Sequence, residues 1–339
     1  MKLQFLDLPV EERRIYMQEA AARRDISPIV MEKDFWVCWL LRLLFESEFA
    51  SHLVFKGGTS LSKVYGIINR FSEDIDLSLS PCFLDLPDPP ELKASRRQRD
   101  KWMKEAEQKC GEVVRDRLAP VLEKTVSETL GQPDGNWLEF VQDPTSNSPV
   151  LLFHYPTIQD AGYEYLARTV KLELGSLTDQ QPTGSHPIRP WVAEELSGAF
   201  SDWKCENIVT LDLARSFWEK ATILHTEYHR PIDKLTPDRY SRHYADTAAL
   251  AKSQAGQIAL AQRDVRDQVI AWKSHFFSRP WAQYEQAQSG VFRLVPPEFR
   301  MEDLRKDYQK MQNMYLTEPA SFDEIIKTLE NLESKINTR

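Results

Sequence analysis

Residues 54–79 read VFKGGTSLSKVYGIINRFSEDIDLSL, and their pattern decides the fold. A short apolar run over residues 52–56 predicts a strand, which the Gly57-Gly58 pair interrupts. Thr59 opens a helix expected over residues 59–69. Residues 73–80 (EDIDLSLS) alternate strictly, which predicts a half-buried strand. On that strand Ile75, Leu77 and Leu79 share one face, while Asp74, Asp76 and Ser78 share the other. Two carboxylates two residues apart on one strand face have roots roughly 6–7 Å apart. They can converge on one or two divalent cations, and Mg²⁺ (or Mn²⁺) favours carboxylates supplemented by substrate phosphates. The preceding turn suits those phosphates. Gly57 and Gly58 let the backbone approach an anion closely, the helix start offers free N–H groups, and Thr59 or Ser60 can add a hydroxyl beside the Lys56 charge. The turn is neither a GxxxxGK[ST] loop nor a GxGxxG fingerprint. Taken singly, each feature has an ordinary reading as a capped turn or a solvated strand face.

A second alternating run, RTVKLEL at residues 168–174, repeats the arrangement. Val170, Leu172 and Leu174 face a core, and Lys171 and Glu173 face the other way. Glu173 becomes a third carboxylate if this strand lies beside the first, with Lys171 placed to offset phosphate charge.

Around these strands the chain divides into two halves. Helices are expected over residues 11–24 and 30–48, the latter holding the most apolar run, FWVCWLLRLLF at 35–45. That run is broken by Arg42 and is shorter than the roughly 20 residues a bilayer span takes, so it predicts a buried helix. After a proline-rich break at 81–90, a long polar helix is expected over about 92–130, bent near Pro120. Strands are expected at 137–142 and 150–155. From Ile208 onward the periodicity is helical, with helices over 208–228, 238–254, 257–276, 301–317 and 321–336. The expected organisation is an α/β domain over 1–195, carrying the helical insertion at about 92–130, and a helical domain over 196–339.

Composition limits the function classes. The net charge of −8 argues against a general nucleic-acid-binding surface, although residues 93–117 hold a basic segment that ordinarily forms a solvated helix face. Cys38, Cys82, Cys110 and Cys205 have no CxxC spacing and no Cys/His zinc pattern, so they read as reduced packing thiols. With no apolar leader at the start and no span, the expected location is cytoplasmic. His225 and His229 lie one turn apart and are better explained by packing and capping than by a metal.

A strand, a GG[ST] turn, a helix and DxD on the next strand together resemble the polymerase-β-type nucleotidyltransferase superfamily. KGGT followed by RFSEDIDL (70–77) is similar to the AbiEii/AbiGii-type nucleotidyltransferase toxins. Further matches follow in order along the chain: Glu32-Lys33-Asp34, VKLELG (170–175), ARSFWEKATILH (214–225), SRHYADTAAL (241–250) and LRKDYQKMQNM (304–314). The resemblance places a family lysine on Lys220 and the closing aspartate on Asp246. Without it, Lys220 at the edge of an apolar helical stripe would read as a snorkelling lysine.

The resemblance implies an α+β nucleotidyltransferase core with a small mixed sheet, followed by a C-terminal helical domain. It implies a toxin of a toxin–antitoxin or phage-defence (abortive infection) pair with a cognate antitoxin. It also implies transfer of a nucleoside monophosphate from a nucleoside triphosphate to an RNA acceptor, foremost the tRNA 3′ end. Modification of a protein hydroxyl, or nucleotide-dependent regulation without catalysis, are the competing readings. The expected catalytic residues are Asp74, Asp76, Lys171, Glu173, Lys220 and Asp246. The expected metal ligands are Asp74, Asp76 and Glu173. Nucleotide contacts are expected from Lys56, Gly57, Gly58, Thr59, Ser60, Arg70 and Lys220.

Overall fold

A computed structural model describes residues 5–144, 147–159, 167–197 and 203–338. The chain forms two compact units. The first holds residues 1–64, 72–89 and 96–210; the second holds 65–71, 90–95 and 211–339.

The first unit is built on a seven-stranded mixed sheet. Its strands are β1 (Leu53–Lys56), β2 (Asp74–Leu79), β3 (Leu138–Gln142), β4 (Pro149–Phe153), β5 (Val170–Gly175), β6 (Thr183–Ile188) and β7 (Cys205–Leu211), in the spatial order β3-β4-β5-β2-β1-β7-β6. The centre of the sheet is β5-β2-β1, with β2 antiparallel to β1 and parallel to β5. The alternation expected from sequence is realised there. Ile75, Leu77, Leu79, Val170, Leu172 and Leu174 are all buried, whereas Asp74, Asp76, Lys171 and Glu173 are only half-buried. Helices α1 (Val10–Arg24) and α2 (Pro28–Phe45) precede the sheet. Ser27 caps α2 through the Ile29 N–H and Pro28 takes its first turn, where no donor is lost. The helix is buried nearly all round and packs on β2 and β5, which is why its apolar run shows no clean helical stripe.

The long helix expected over 92–130 appears as α4 (Arg96–Val113) and α5 (Ala119–Leu130), joined by a π-helical turn at Val114–Leu118. The irregular turn lies just before Pro120, whose ring cannot donate into the preceding turn, and residues 92–95 stay outside the helix. Two strands escaped the sequence reading. β6 carries Gly184 and Pro187 and lies at the sheet edge, the position where a strand tolerates both. In β7 the alternation is broken at Glu206 and Asn207, both exposed, with Asn207 at φ +61. The first unit therefore runs past residue 195, and Ile208 belongs to a strand rather than a helix start.

Helix α3 (Gly57–Lys63) is shorter than the helix expected over 59–69. Gly66 turns the chain at φ +60. Residues 65–71 then join the second unit, where Leu316 N donates to Asn69 O at 3.1 Å and Phe71 N donates to Met314 O at 2.7 Å. Tertiary pairing wins over the weak helix propensity of Ile67 and Ile68.

Helix α6 (Trp191–Glu195) completes the first unit. The second is helical: α7 (Leu213–Tyr228), α8 (Ser241–Lys252), α9 (Gln254–Ala261), α10 (Arg263–Phe276), α11 (Tyr284–Gln288), α12 (Glu298–Lys310) and α13 (Phe322–Asn337). Asp212 caps α7 through the Ala214 N–H, which explains its start just after β7. The single helix expected over 257–276 is broken at Gln262, with ψ 79, into α9 and α10, and α11 was not foreseen. Among the described residues no helix is long and apolar enough to cross a membrane.

Candidate active site

The pairing of β2 with β5 sets Asp74 opposite Lys171 and Asp76 opposite Glu173 on one face of the sheet. Four charged groups thus share a patch whose opposite face is core. Burial pushes the Asp74 carboxyl up to about 6, with Glu173, Glu73 and Asp76 adding repulsion that Lys171 only partly offsets. Burial draws the Lys171 amine down, but Glu173 outweighs it, with Asp74 and Asp143 contributing, and the net displacement is upward. Lys171 Nζ donates to Glu173 Oε1 and lies 3.9 Å from Asp143 Oδ2. A patch in which negative charge raises a carboxyl is chemically suited to a divalent cation. Among the described residues, no three His, Cys, Asp or Glu side chains already converge as a cage.

The turn ahead of α3 is fitted to this patch. Lys56, the last residue of β1, pairs with Asp76. Gly57 stands at φ +77, and a Cβ there would lie 1.9 Å from Asp76 Oδ2 and 2.9 Å from Asp76 Cβ. The glycine is required by both the backbone angle and the close approach of the carboxylate. The hydroxyls expected to meet phosphate do something else. Thr59 and Ser60 are buried. Thr59 Oγ1 donates to the Asp74 carbonyl and lies 2.9 Å from Ser72 Oγ, while Ser60 Oγ donates to Gly57 O at 2.9 Å. Thr59 ties the turn to the first residue of β2, and Ser60 closes the turn on itself.

Sequence reasoning matched Glu32, Lys33 and Asp34 to a motif without giving them a task. All three are buried at the start of α2. Glu32 accepts from the Ile158 N–H at 2.7 Å and from the Thr157 hydroxyl. Lys33 donates to Glu73 and to Ala167 O, and Asp34 forms an ion pair with Lys63 Nζ and accepts from the Trp191 N–H, each at 2.7 Å. Three consecutive ions thus fasten the residue ahead of Asp74, the end of α3 and three further points of the chain, at 157–158, 167 and 191, to one helical turn. The available signal was a run of three charges opening a helix that is otherwise apolar.

In the second unit, Asp246 on α8 gathers two cations. It accepts from Arg70 Nε and Nη2, each at 2.9 Å, and from Lys220 Nζ of α7 at 2.8 Å. Burial alone would raise Asp246, but the Arg70 and Lys220 charges hold it far below the usual carboxylate range. Burial lowers the Lys220 amine, and the neighbouring Arg70 charge adds to that against the pull of Asp246. His243 Nδ1 lies 3.3 Å from Lys220 Nζ. Burial and Lys220 keep this imidazole well below its ordinary range, so it is neutral and Nδ1 is the acceptor. Lys220 does not snorkel, and Arg70, expected among the nucleotide contacts, is held by Asp246.

Elsewhere, His225 takes structural bonds, to Gln283 O at 3.0 Å and from the Arg293 N–H at 3.1 Å, and His229 caps α7. In the basic segment, Lys109 pairs with Glu112 and Arg115 with Asp116 in exposed contacts. All four cysteines are free thiols.

No curated protein matches the sequence. One solved structure that matches is MenT4, a nucleotidyltransferase toxin from Mycobacterium tuberculosis H37Rv, at 15% identity and a TM-score of 0.45, covering 96% of this chain and 98% of that one. A family model described as the nucleotidyl transferase AbiEii toxin of type IV toxin–antitoxin systems matches residues 39–328. This chain, with its paired carboxylates on β2 and its KGGTS turn, belongs to the AbiEii nucleotidyltransferase toxin family.

Proposed function

We propose that the protein transfers a nucleoside monophosphate from a nucleoside triphosphate to the 3′ end of tRNA in the cytoplasm, blocking translation until an antitoxin intervenes. The single observation that carries the catalytic part is the register that sets Asp76 opposite Glu173 and Asp74 opposite Lys171. A divalent cation, Mg²⁺ foremost, would be held by Asp74, Asp76 and Glu173, and once bound it offsets phosphate charge and makes the acceptor hydroxyl more acidic.

The remaining work falls to this chain's own groups. The backbone of residues 57–60 and the Lys56 charge receive the β,γ-phosphates. Glu173 accepts the proton of the attacking hydroxyl, held in place by Lys171. The hydroxyl oxygen forms a bond to the α-phosphorus, the bond from that phosphorus to the β-phosphate bridging oxygen breaks, and pyrophosphate leaves with the electron pair. Lys220 offsets the charge that develops on the leaving group, and Asp246 with Arg70 sets its position. Only three residues of chain separate Arg70 from Asp74, which supports assigning both to one reaction.

The test is incubation with α-labelled nucleoside triphosphates, Mg²⁺ and total RNA, followed by sequencing of tRNA 3′ ends. The wild type labels tRNA-sized RNA and an Asp74→Ala, Asp76→Ala variant does not. Label found only on protein would replace the RNA acceptor with a protein hydroxyl, and equal labelling by the variant would remove the transferase assignment.

A further inference from the structure

The second unit contains a cavity of about 190 Å³ that no step above uses. It is bounded by one face of α7 (Thr222, Ile223, Thr226, Glu227), by Arg230 just past its end, by Lys273 of α10 and by Tyr240 and Tyr284. At roughly 30 Å³ per water, it holds the volume of about six waters, enough for one planar ring system.

Three features of its lining point the same way. The first is charge. Arg230, Lys273 and Arg279 stand against one carboxylate, Glu227, on a chain whose net charge is −8. The second is aromatic surface. Phe277 and Trp281 line the cavity beside Tyr240 and Tyr284. Cations already gather on these rings: Lys273 Nζ lies 4.6 Å from the Phe277 centroid, Lys234 Nζ 4.0 Å and Arg279 Cζ 5.5 Å from that of Trp281. The third is a buried acceptor that makes no well-formed hydrogen bond. Glu227 is 3% exposed, and while its Oε2 takes Arg230 Nε at 2.8 Å, its Oε1 has no hydrogen-bond partner. A buried carboxylate oxygen without a donor is costly, and a ligand N–H relieves it. Burial pushes the Tyr284 hydroxyl up to about 12, and burial with the charge of Glu227, to which the Tyr240 hydroxyl can donate, raises Tyr240 as well, so both hydroxyls stay protonated.

We propose that this cavity binds one nucleotide, its base stacked among Tyr240, Phe277 and Trp281 with an N–H donating to Glu227 Oε1, and its phosphate at Arg230, Lys273 and Arg279. Flat rings take a base of any sequence, and the guanidinium and ammonium groups take the phosphate. The same chemistry comes from a free nucleotide or from one unit of single-stranded RNA. The cavity adjoins the Lys220 cluster, because the Tyr240 ring meets the His243 ring at 4.8 Å between centroids and His243 reaches Lys220. Its lining lies entirely in the second unit, whereas the β2 carboxylates belong to the first.

The experiment is isothermal titration calorimetry on full-length Asp74→Ala, Asp76→Ala protein in chelator, so that the carboxylate site cannot report. The titrants are AMP, adenosine, purine riboside 5′-monophosphate (the same ring and phosphate without an N–H on the base) and hexaadenylate RNA. AMP is expected to saturate at one per chain. Adding Trp281→Ala weakens it about tenfold by loss of stacking. Adding Arg279→Ala, an exposed change that leaves the fold intact, also weakens it, and adenosine and the riboside monophosphate bind more weakly than AMP. Hexaadenylate binding more tightly than AMP identifies an RNA strand as the source, and the reverse order identifies a free nucleotide. The proposal is overturned if neither AMP nor hexaadenylate saturates, or if Arg279→Ala leaves binding unchanged. Loss of tRNA labelling would sink the transferase assignment alone, since this binding is measured without the catalytic carboxylates.

Discussion

Replacing Gly57 with alanine tests the fit of the turn to the carboxylate. The perturbation has two parts. Holding an L-residue at φ +77 costs about 1–2 kcal/mol. The new Cβ would also lie 1.9 Å from Asp76 Oδ2, where ordinary contact begins at 3.4 Å, so the carboxylate must retreat by about 1.5 Å. Rotation of the side chain does not clear the collision, because Asp76 Cβ itself would stand 2.9 Å away. The strain lowers the melting temperature by roughly 2–8 °C for a unit of this size. The displacement acts on rate far more strongly, since misplacing a catalytic group by about 1 Å can cost about 10²-fold. The assay is initial rate of label transfer at saturating nucleotide, with thermal unfolding on the same preparations. Gly66→Ala is the control: it carries the same kind of backbone strain at φ +60 with nothing within 4 Å of its Cβ, so it should lose stability and keep its rate. Gly57→Ala protein that transfers at the wild-type rate would refute the claim that this glycine exists to seat Asp76.

Four further outcomes follow from the geometry. Because the folded Asp74 carboxyl is raised to about 6, its contribution to the stability of the metal-free protein is present below pH 4 and lost as pH rises through 6, at most about 3 kcal/mol; thermal unfolding in chelator from pH 4 to 7, compared with Asp74→Asn, isolates it. The same proton competes with a cation, so divalent-metal affinity measured by calorimetry should fall about tenfold per pH unit below 6 in the wild type and lose that slope in Asp74→Asn. Asp246→Asn leaves the buried Arg70 and Lys220 cations without their counter-charge and should cost about 3–5 kcal/mol in denaturant unfolding, whereas Lys220→Met keeps the bidentate Arg70–Asp246 pair, folds, and fails to transfer label. Lys33→Met removes the buried partner of Glu73 beside Asp74, which should cost about 1–3 kcal/mol and move the acid limb of the rate–pH profile upward.

The local elements of the site were legible because each is a short-range pattern. Period-two alternation placed Asp74 and Asp76 on one face of β2 and Lys171 and Glu173 on one face of β5, and the core side of both strands is buried as expected. The Gly-Gly break located the strand-to-helix turn. Strand β7 was missed because Asn207 breaks the alternation, and β6 because Gly184 and Pro187 disguise an edge strand.

What no local pattern holds is partnership at a distance. Periodicity tells which residues share a face but not which strand lies beside which, so the Asp76–Glu173 register had to come from the sheet. Hydroxyl-bearing residues at a helix start look alike along the chain; only the fold shows that Thr59 reaches the Asp74 carbonyl and Ser60 the Gly57 carbonyl. The pairing of residues 65–71 with the segment near Met314 is what brings Arg70 to Asp246. By itself, the sequence determined which carboxylates, glycines and lysines were available, because alternation and backbone permissiveness are properties of neighbours along the chain. Tertiary structure alone decided which charges meet, because burial and ion pairing depend on contacts between residues far apart in the chain, 176 positions in the Arg70–Asp246 pair.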